Sequence, residues 1–254
     1  MLLLALDTST AQVSVAFGDG GAVVGSVQLA GGRRHAEQLA PAIEYLRVEC
    51  GVALDHLAAI AVGTGPGLFT GLRVGVTTAK VMAQALRIPV VGVPSLDLVA
   101  YPLRHTERTI VAVLDARRRE VFAARYQPVP GGVQRVSDYA VHAPAELVDD
   151  LAADVAESPH GLLLAGDGVT RFPDEFAALE HAEVAGPEFS APSVAALVAL
   201  ATAHAEREEF EQPADLRPLY LRQSDAEIAW GTRASGPEPA AKKGNGPASS
   251  ERAM

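Results

Sequence analysis

The chain is short of several things, and each shortage removes a class of function. Cysteine occurs once in 254 residues, at Cys50. That excludes an internal disulfide framework and any cysteine-rich metal module. The seven histidines (His35, His56, His105, His142, His160, His181 and His204) include no pair at i, i+4, the spacing of a helical zinc site. No G-x-S-x-G nucleophile elbow is present, and Cys50 has no adjacent histidine. The apolar opening Met1–Asp7 is too short for a signal segment or a membrane span, and no basic residue precedes it. A soluble, cytoplasmic protein without a membrane association is expected.

Positive charge is also scarce: 21 Lys+Arg stand against 31 Asp+Glu, a net charge of −10. Residues 231–254 hold four basic and two acidic side chains, so the rest of the chain carries −12. Such a surface repels a phosphate backbone, which predicts that nucleic acid is met only through a partner. In the same 24 residues, 15 are Gly, Pro, Ala or Ser. That composition cannot bury enough apolar surface to offset its ordering entropy and predicts a disordered tail. Over the whole chain 48% of residues are hydrophobic, enough to supply a real core.

Apolar patterning organises that core. Leu2–Asp7 is a buried-strand run ending in an acid. Val13–Phe17 alternates up to the turn Gly18–Gly21, and a third strand spans Ala22–Leu29. Leu39, Ile43, Leu46 and Cys50 fall at helical spacing, with Pro41 predicting a kink or the start of the regular part. A strand over Ala58–Val62 runs into Gly63–Gly67, and a helix follows from Phe69 to Arg87. The plan then repeats. Thr109–Asp115 is again an apolar strand ending in an acid, and a polar turn, Ala116–Arg119, leads into Val121–Tyr126. Pro144–Ala156 reads as a helix, Leu162–Ala165 as a strand before Gly166-Asp167-Gly168, and Pro192–Phe210 as the last helix. Asp7 and Asp115 are 108 residues apart, and Val62 and Leu164 are 102 apart. That spacing is far longer than a solenoid repeat and implies two duplicated lobes meeting at a cleft.

Three stretches carry chemistry. Strand-ending acids at equivalent places in two lobes are placed to hold a metal–phosphate complex, with Ser9 and Thr10 donating from the turn. The simpler reading is that Asp7 caps its own turn. GTGPGLFTGLRVG lacks the Lys of a P-loop and the spacing of a dinucleotide fingerprint. Its Gly67, Gly71 and Gly75 continue into Ala79 and Ala83, so one helix face is almost without side chains. Mid-helix glycines cost about 1 kcal/mol each, which implies a close approach, either to the chain's own sheet or to another helix. Arg117-Arg118-Arg119 reads as a solvated basic turn.

Together, LLALDTSTAQVSVA, HAEQLAPAI, GTGPGLFTGLRVGVTTAK, PSLDLVA, VLDARRREVFAARY and PLYLRQSDAE resemble, in order, the motifs of the TsaB (YeaZ) family, from Leu3 to about Glu227. The family's usual Ser after GPG is Leu68 here, which removes a helix N-cap and weakens an anion site at that loop. The resemblance implies an α/β, actin-like, Hsp70-type (ASKHA) duplicated fold: two lobes of mixed sheet with covering helices. Residues 1–104 are then an N-terminal lobe carrying the partner-binding helices, rejoined by helix 192–210. Residues 105–190 form the C-terminal lobe. The implied role is non-catalytic: an assembly and activating subunit in forming N6-threonylcarbamoyladenosine at position 37 of tRNAs, with no cofactor and no metal. Its implied partners are a TsaD-like catalytic paralogue that it binds and stabilises and a TsaE-like ATPase, with a homodimer as the alternative state of the isolated chain. Heterodimer contacts are expected at His35, Leu39, Ile43, Leu46, Gly71, Leu72, Gly75, Val76 and Ala79. Asp7, Ser9 and Thr10 are the candidates for a weak nucleotide site. The competing reading is an actin-fold nucleotide-dependent transferase or a metallopeptidase-like enzyme.

Overall fold

The structure, a computed structural model, describes residues 1–30 and 34–222. The expected disordered tail, 231–254, lies outside them. Two sheets organise the described chain. The first holds β1 (Leu2–Asp7), β2 (Val13–Asp19), β3 (Ala22–Leu29), β4 (Ala59–Gly65) and β5 (Val90–Pro94), in the order β3-β2-β1-β4-β5. β1, β2 and β3 pair antiparallel, while β1, β4 and β5 run parallel. The second sheet has β6 (Thr109–Arg117), β7 (Glu120–Val129), β8 (Gly132–Arg135), β10 (Leu162–Ala165) and β11 (Ala182–Val184), with β9 (Ala140–His142) on β7. Its order, β8-β7-β6-β10-β11, repeats the first strand for strand, with β6 in the place of β1. This is the duplicated two-sheet architecture that the repeat spacing predicts.

Central strands of such sheets are buried on both faces, so they are near-continuous apolar runs. Alternate residues go to opposite sides. Leu4 and Leu6 of β1 join Ile60 and Val62 of β4 in the core beneath α1 (His35–Glu49) and α2 (Phe69–Leu86). Leu3, Ala5 and Ala61 point the other way, onto Leu197, Val198 and Ala201 of the last helix. The second sheet does the same. Ile110 and Leu114 face α3 (Ser95–Ala100), while Val111 and Val113 face α4 (Pro144–Glu157), α5 (Asp167–Arg171) and α6 (Pro173–Phe176). α3 is shared: Leu98 enters the core of the first sheet, and Leu96 and Val99 enter that of the second.

Three local expectations shift. α1 runs unbroken through Pro41, which sits in its first half. β4 continues past Val62 to Gly65, because the glycines still pair with β5. The last helix, α7, is shorter than Pro192–Phe210. It spans Val194–Glu206, with the Ser193 hydroxyl accepting from Ala196 N at 3.2 Å as N-cap. Beyond it the chain is a strap. Glu211 pairs with Val90 at the edge of the first sheet, Leu216 enters the first core and Leu221 packs on the second.

Candidate functional site

The turn after β1 and the start of α2 meet across 63 residues of sequence. Thr8 Oγ1 donates to the Gly71 carbonyl at 2.7 Å, and Leu68 N donates to the Ser9 carbonyl at 2.7 Å. A Cβ built at Gly67 or Gly71 falls on the Ser9 or Thr8 carbonyl oxygen, and one at Gly75 falls on Thr8 Oγ1. The glycine stripe therefore receives the chain's own β1–β2 turn. Leu68 supplies no side-chain cap, and the Ser9 carbonyl occupies its amide instead.

That packing decides the fate of the turn's polar groups. Asp7, 1% exposed, accepts from Ser9 N at 3.1 Å and from Ser9 Oγ at 2.9 Å. Ser95 Oγ lies 3.5 Å from its other oxygen, over Gly63, where no side chain fits. Burial pushes the Asp7 carboxyl up to about 6, against the opposing pull of the Ser9 and Ser95 hydrogen bonds. His35, the first residue of α1, reaches the Thr10 carbonyl through Nε2 at 2.7 Å. A carbonyl only accepts, so Nε2 carries the proton, and the buried Nδ1 has no partner among the described residues. Asp7, Ser9 and Thr10 are thus brought together but turned toward one another and α2. The weak nucleotide site expected here falls on three residues that are buried and bonded within the chain. Asp7 caps its own turn.

The equivalent acid of the second sheet is also engaged by its turn. Asp115 accepts from Arg117 N at 2.8 Å and pairs with Arg117 Nη1 at 3.1 Å and Arg171 Nε at 3.2 Å. Asp167 accepts from Asp115 N at 2.9 Å, and burial raises its carboxyl above the usual range. Among the described residues no group of three or more His, Cys, Asp or Glu side chains is placed to hold a metal ion. Among them, too, no helix is long and apolar enough to cross a membrane.

The nine residues expected at the partner interface lie in similar surroundings. His35, Leu39, Ile43, Leu46, Gly71, Leu72, Gly75, Val76 and Ala79 are all buried within the chain. They are the inner faces of α1 and α2. An amphipathic helix puts its largest apolar side chains on the sheet, so the residues open to a partner are their neighbours. On α2 these are Thr70, Arg73, Val74, Thr77 and Val81, a stripe at helical spacing, and Val81 is 60% exposed. α2 contains no acid in 18 residues. With Ala36 and Ala40 of α1, Thr70, Arg73, Val74 and Thr77 of this stripe line a groove of about 450 Å³. One end is built by the strap: Tyr220 stacks on Phe69 at 5.2 Å between ring centroids. The Arg73 guanidinium lies 3.9 Å over the same ring, with Nε donating to the Tyr220 hydroxyl at 3.3 Å.

Two arrangements had no sequence signal of their own. The strap closes on α2 from 147 residues away. Between the sheets, Asp97 of α3 accepts from the Tyr126 hydroxyl at 2.7 Å and the Tyr139 hydroxyl at 2.8 Å. Burial raises the Asp97 carboxyl, and burial beside Asp97 raises both phenols.

Comparison with known proteins places this geometry. A family model described as TsaD, tRNA N6-adenosine threonylcarbamoyltransferase, matches residues 26–230. An uncharacterized protein of Mycobacterium leprae is 38% identical over 229 residues, 89% of this chain and 56% of that protein's length. The Bacillus subtilis tRNA threonylcarbamoyladenosine biosynthesis protein TsaB is 35% identical over 136 residues, 54% of this chain and 59% of its own length. Among solved structures, YeaZ from Pseudomonas aeruginosa superposes with a TM-score of 0.74 at 32% identity, covering 87% of this chain and 99% of that one.

Proposed function

The chain belongs to the YeaZ/TsaB family, and from that premise we propose that it is the non-catalytic partner of a TsaD-type threonylcarbamoyltransferase in forming N6-threonylcarbamoyladenosine on tRNA. The observation that carries the reading is the likeness to the solved YeaZ chain, 32% identical over 99% of its length. The site chemistry supports it. Asp7 and Asp115, the two strand-ending acids, are both committed to their own turns. Stabilising the paralogue is the chain's contribution, and the chemistry is left to that paralogue.

The same proposal assigns the partner surface to the outer stripe of α1 and α2. Arg73 apart, it is made of Ala, Thr and Val, which let a second helix pair approach closely. Val81, 60% exposed, adds an apolar side chain to that surface. In the isolated chain the stripe serves a homodimer, and a TsaE-like ATPase completes the assembly in the cytoplasm. The test is co-purification with the TsaD-like paralogue. Thr77→Glu puts a charge in the stripe without touching the core, so it should melt within about 2 °C of wild type and lose the paralogue. Retention of the paralogue by Thr77→Glu places the interface elsewhere. Failure of the wild-type chain to bring the paralogue with it overturns the function.

A further inference from the structure

The hairpin between β6 and β7 is built against the usual chemistry of tight turns. Arg117 pairs with Glu120, leaving Arg118 and Arg119 as a two-residue loop. Arg117, Arg118 and Arg119 have φ of 63°, 54° and 61°. Loops of this kind are made from Asn-Gly or Asp-Gly, since a Cβ in the left-handed region costs about 1–2 kcal/mol per residue. The core does not ask for arginine here: the Arg119 side chain is 83% exposed. Backbone strain held at an exposed, charged tip is a sign of use.

Five of the chain's eighteen arginines gather at this place, in a protein of net charge −10. Arg117 and Arg171 are braced on the buried Asp115, which fixes two guanidiniums with their outer edges in solvent. Arg222, arriving on the strap, pairs with Glu120 and donates to the Ala116 carbonyl at 3.3 Å. Arg119 sits 3.6 Å from Glu175, a loose and solvated pair that a stronger anion displaces. Planar guanidiniums held in fixed directions match phosphate oxygens two at a time, which a lysine ammonium does not.

We propose that this tip is a phosphate-binding site that takes hold of the tRNA backbone when the chain is in its complex, an inference that rests on the function proposed above. The isolated chain is too negative to hold RNA at physiological salt. The tip adds to a site that the catalytic paralogue supplies, and it contributes grip without sequence preference.

The experiment uses the reconstituted complex of this chain with its TsaD-like paralogue and an unmodified tRNA transcript, titrated across a range of salt. Arg118→Asn/Arg119→Gly gives the turn its preferred residues and removes two charges. It should assemble normally, melt no lower than wild type and bind tRNA about 10-fold more weakly. The slope of log affinity against log salt should shrink by about 1.5–2, the share of two phosphate contacts. Arg119→Glu keeps the loop's length and reverses one charge, and it should weaken binding at least as much. Assembled variants that bind tRNA with wild-type affinity and slope overturn the proposal while leaving the function standing. So does a wild-type complex that does not bind the transcript. Saturable binding of ATP to the isolated chain, lost in the double variant, assigns the tip to a free nucleotide and overturns the RNA reading. A wild-type chain that does not assemble overturns the function first, and the tip with it.

Discussion

β1 and β6 hold the same place in two sheets of the same order, and each leads through an aspartate into a tight turn. After β1 the turn is Thr8-Ser9-Thr10, uncharged, buried and clamped by the glycines of α2. After β6 it is Arg117-Arg118-Arg119, charged and open. The difference lies in the helix that follows the neighbouring parallel strand. In the first half that helix is α2, 18 residues long, with a bare face that takes in the turn. In the second half it is α5, five residues long, which brings Arg171 to the Asp115 carboxylate and Asp167 to its backbone amide. One duplicated position has become a structural joint, and its twin has remained a surface. A repeat in the sequence therefore predicts where a backbone goes and says little about what each copy does.

The sharpest way to break the comparison is to remove the bare face. Gly71→Leu forces a side chain onto the Thr8 carbonyl, which cannot retreat because Thr8 is itself bonded to α2. Overpacking of this kind costs typically about 1–3 kcal/mol and sometimes more. In a chain of this size each kcal/mol is roughly 2–4 °C of melting temperature. A melting curve unchanged by Gly71→Leu removes the clamp from the account.

The two acids should then respond with opposite signs when their charge is removed. Asp7 has an ordinary value of 3.8 and is held at about 6 in the folded chain. Below 3.8 both states are protonated and nothing is lost. Between the two values the folded chain keeps a proton that the unfolded chain has given up, so stability falls as the pH rises. Above about 6 the full cost of the buried charge is felt. Asp7→Asn keeps the acceptor for Ser9 and removes that cost, so it should stabilise by about 1–3 kcal/mol at pH 7.5. The gain should fade on acidification to pH 4. Urea midpoints of variant and wild type across that range provide the measurement, and a gain independent of pH contradicts the assignment.

Asp115→Asn is the smallest effect and the complementary one. Its loss releases Arg117 and Arg171, whose side chains are 43% and 53% exposed and already solvated. Destabilisation by no more than about 1 kcal/mol is expected. A stabilisation like that of Asp7→Asn makes the two turns alike after all.

Much of this was legible before any coordinates. Apolar runs ending in acids, the hairpin glycines and the spacing of Asp7 and Asp115 foretold two like sheets, because burial on both faces leaves a pattern in composition. The glycine stripe was legible as a close approach, but its occupant was not: nothing local to Gly71 points to Thr8. The exposed stripe on α2 is hidden in the sequence for a related reason. Leu39 and Val76 are the apolar members of their helices, and the sheet takes them first. What is left outside, Thr70, Val74 and Thr77, is unremarkable in composition and becomes visible only once the inner face is known.

The crossing of the chain between its halves bears on how the protein is made. The inner face of the first sheet, with Leu3, Ala5 and Val91, is covered by Val194, Leu197 and Val198. Its other core is completed by Leu216. The sheet built from residues 2–94 is thus finished by residues 194–216. Until α7 is made that apolar face has no native cover, and contacts so distant in sequence are slow to form. Without α7 that apolar face stands open, so one late helix decides whether the first sheet is closed.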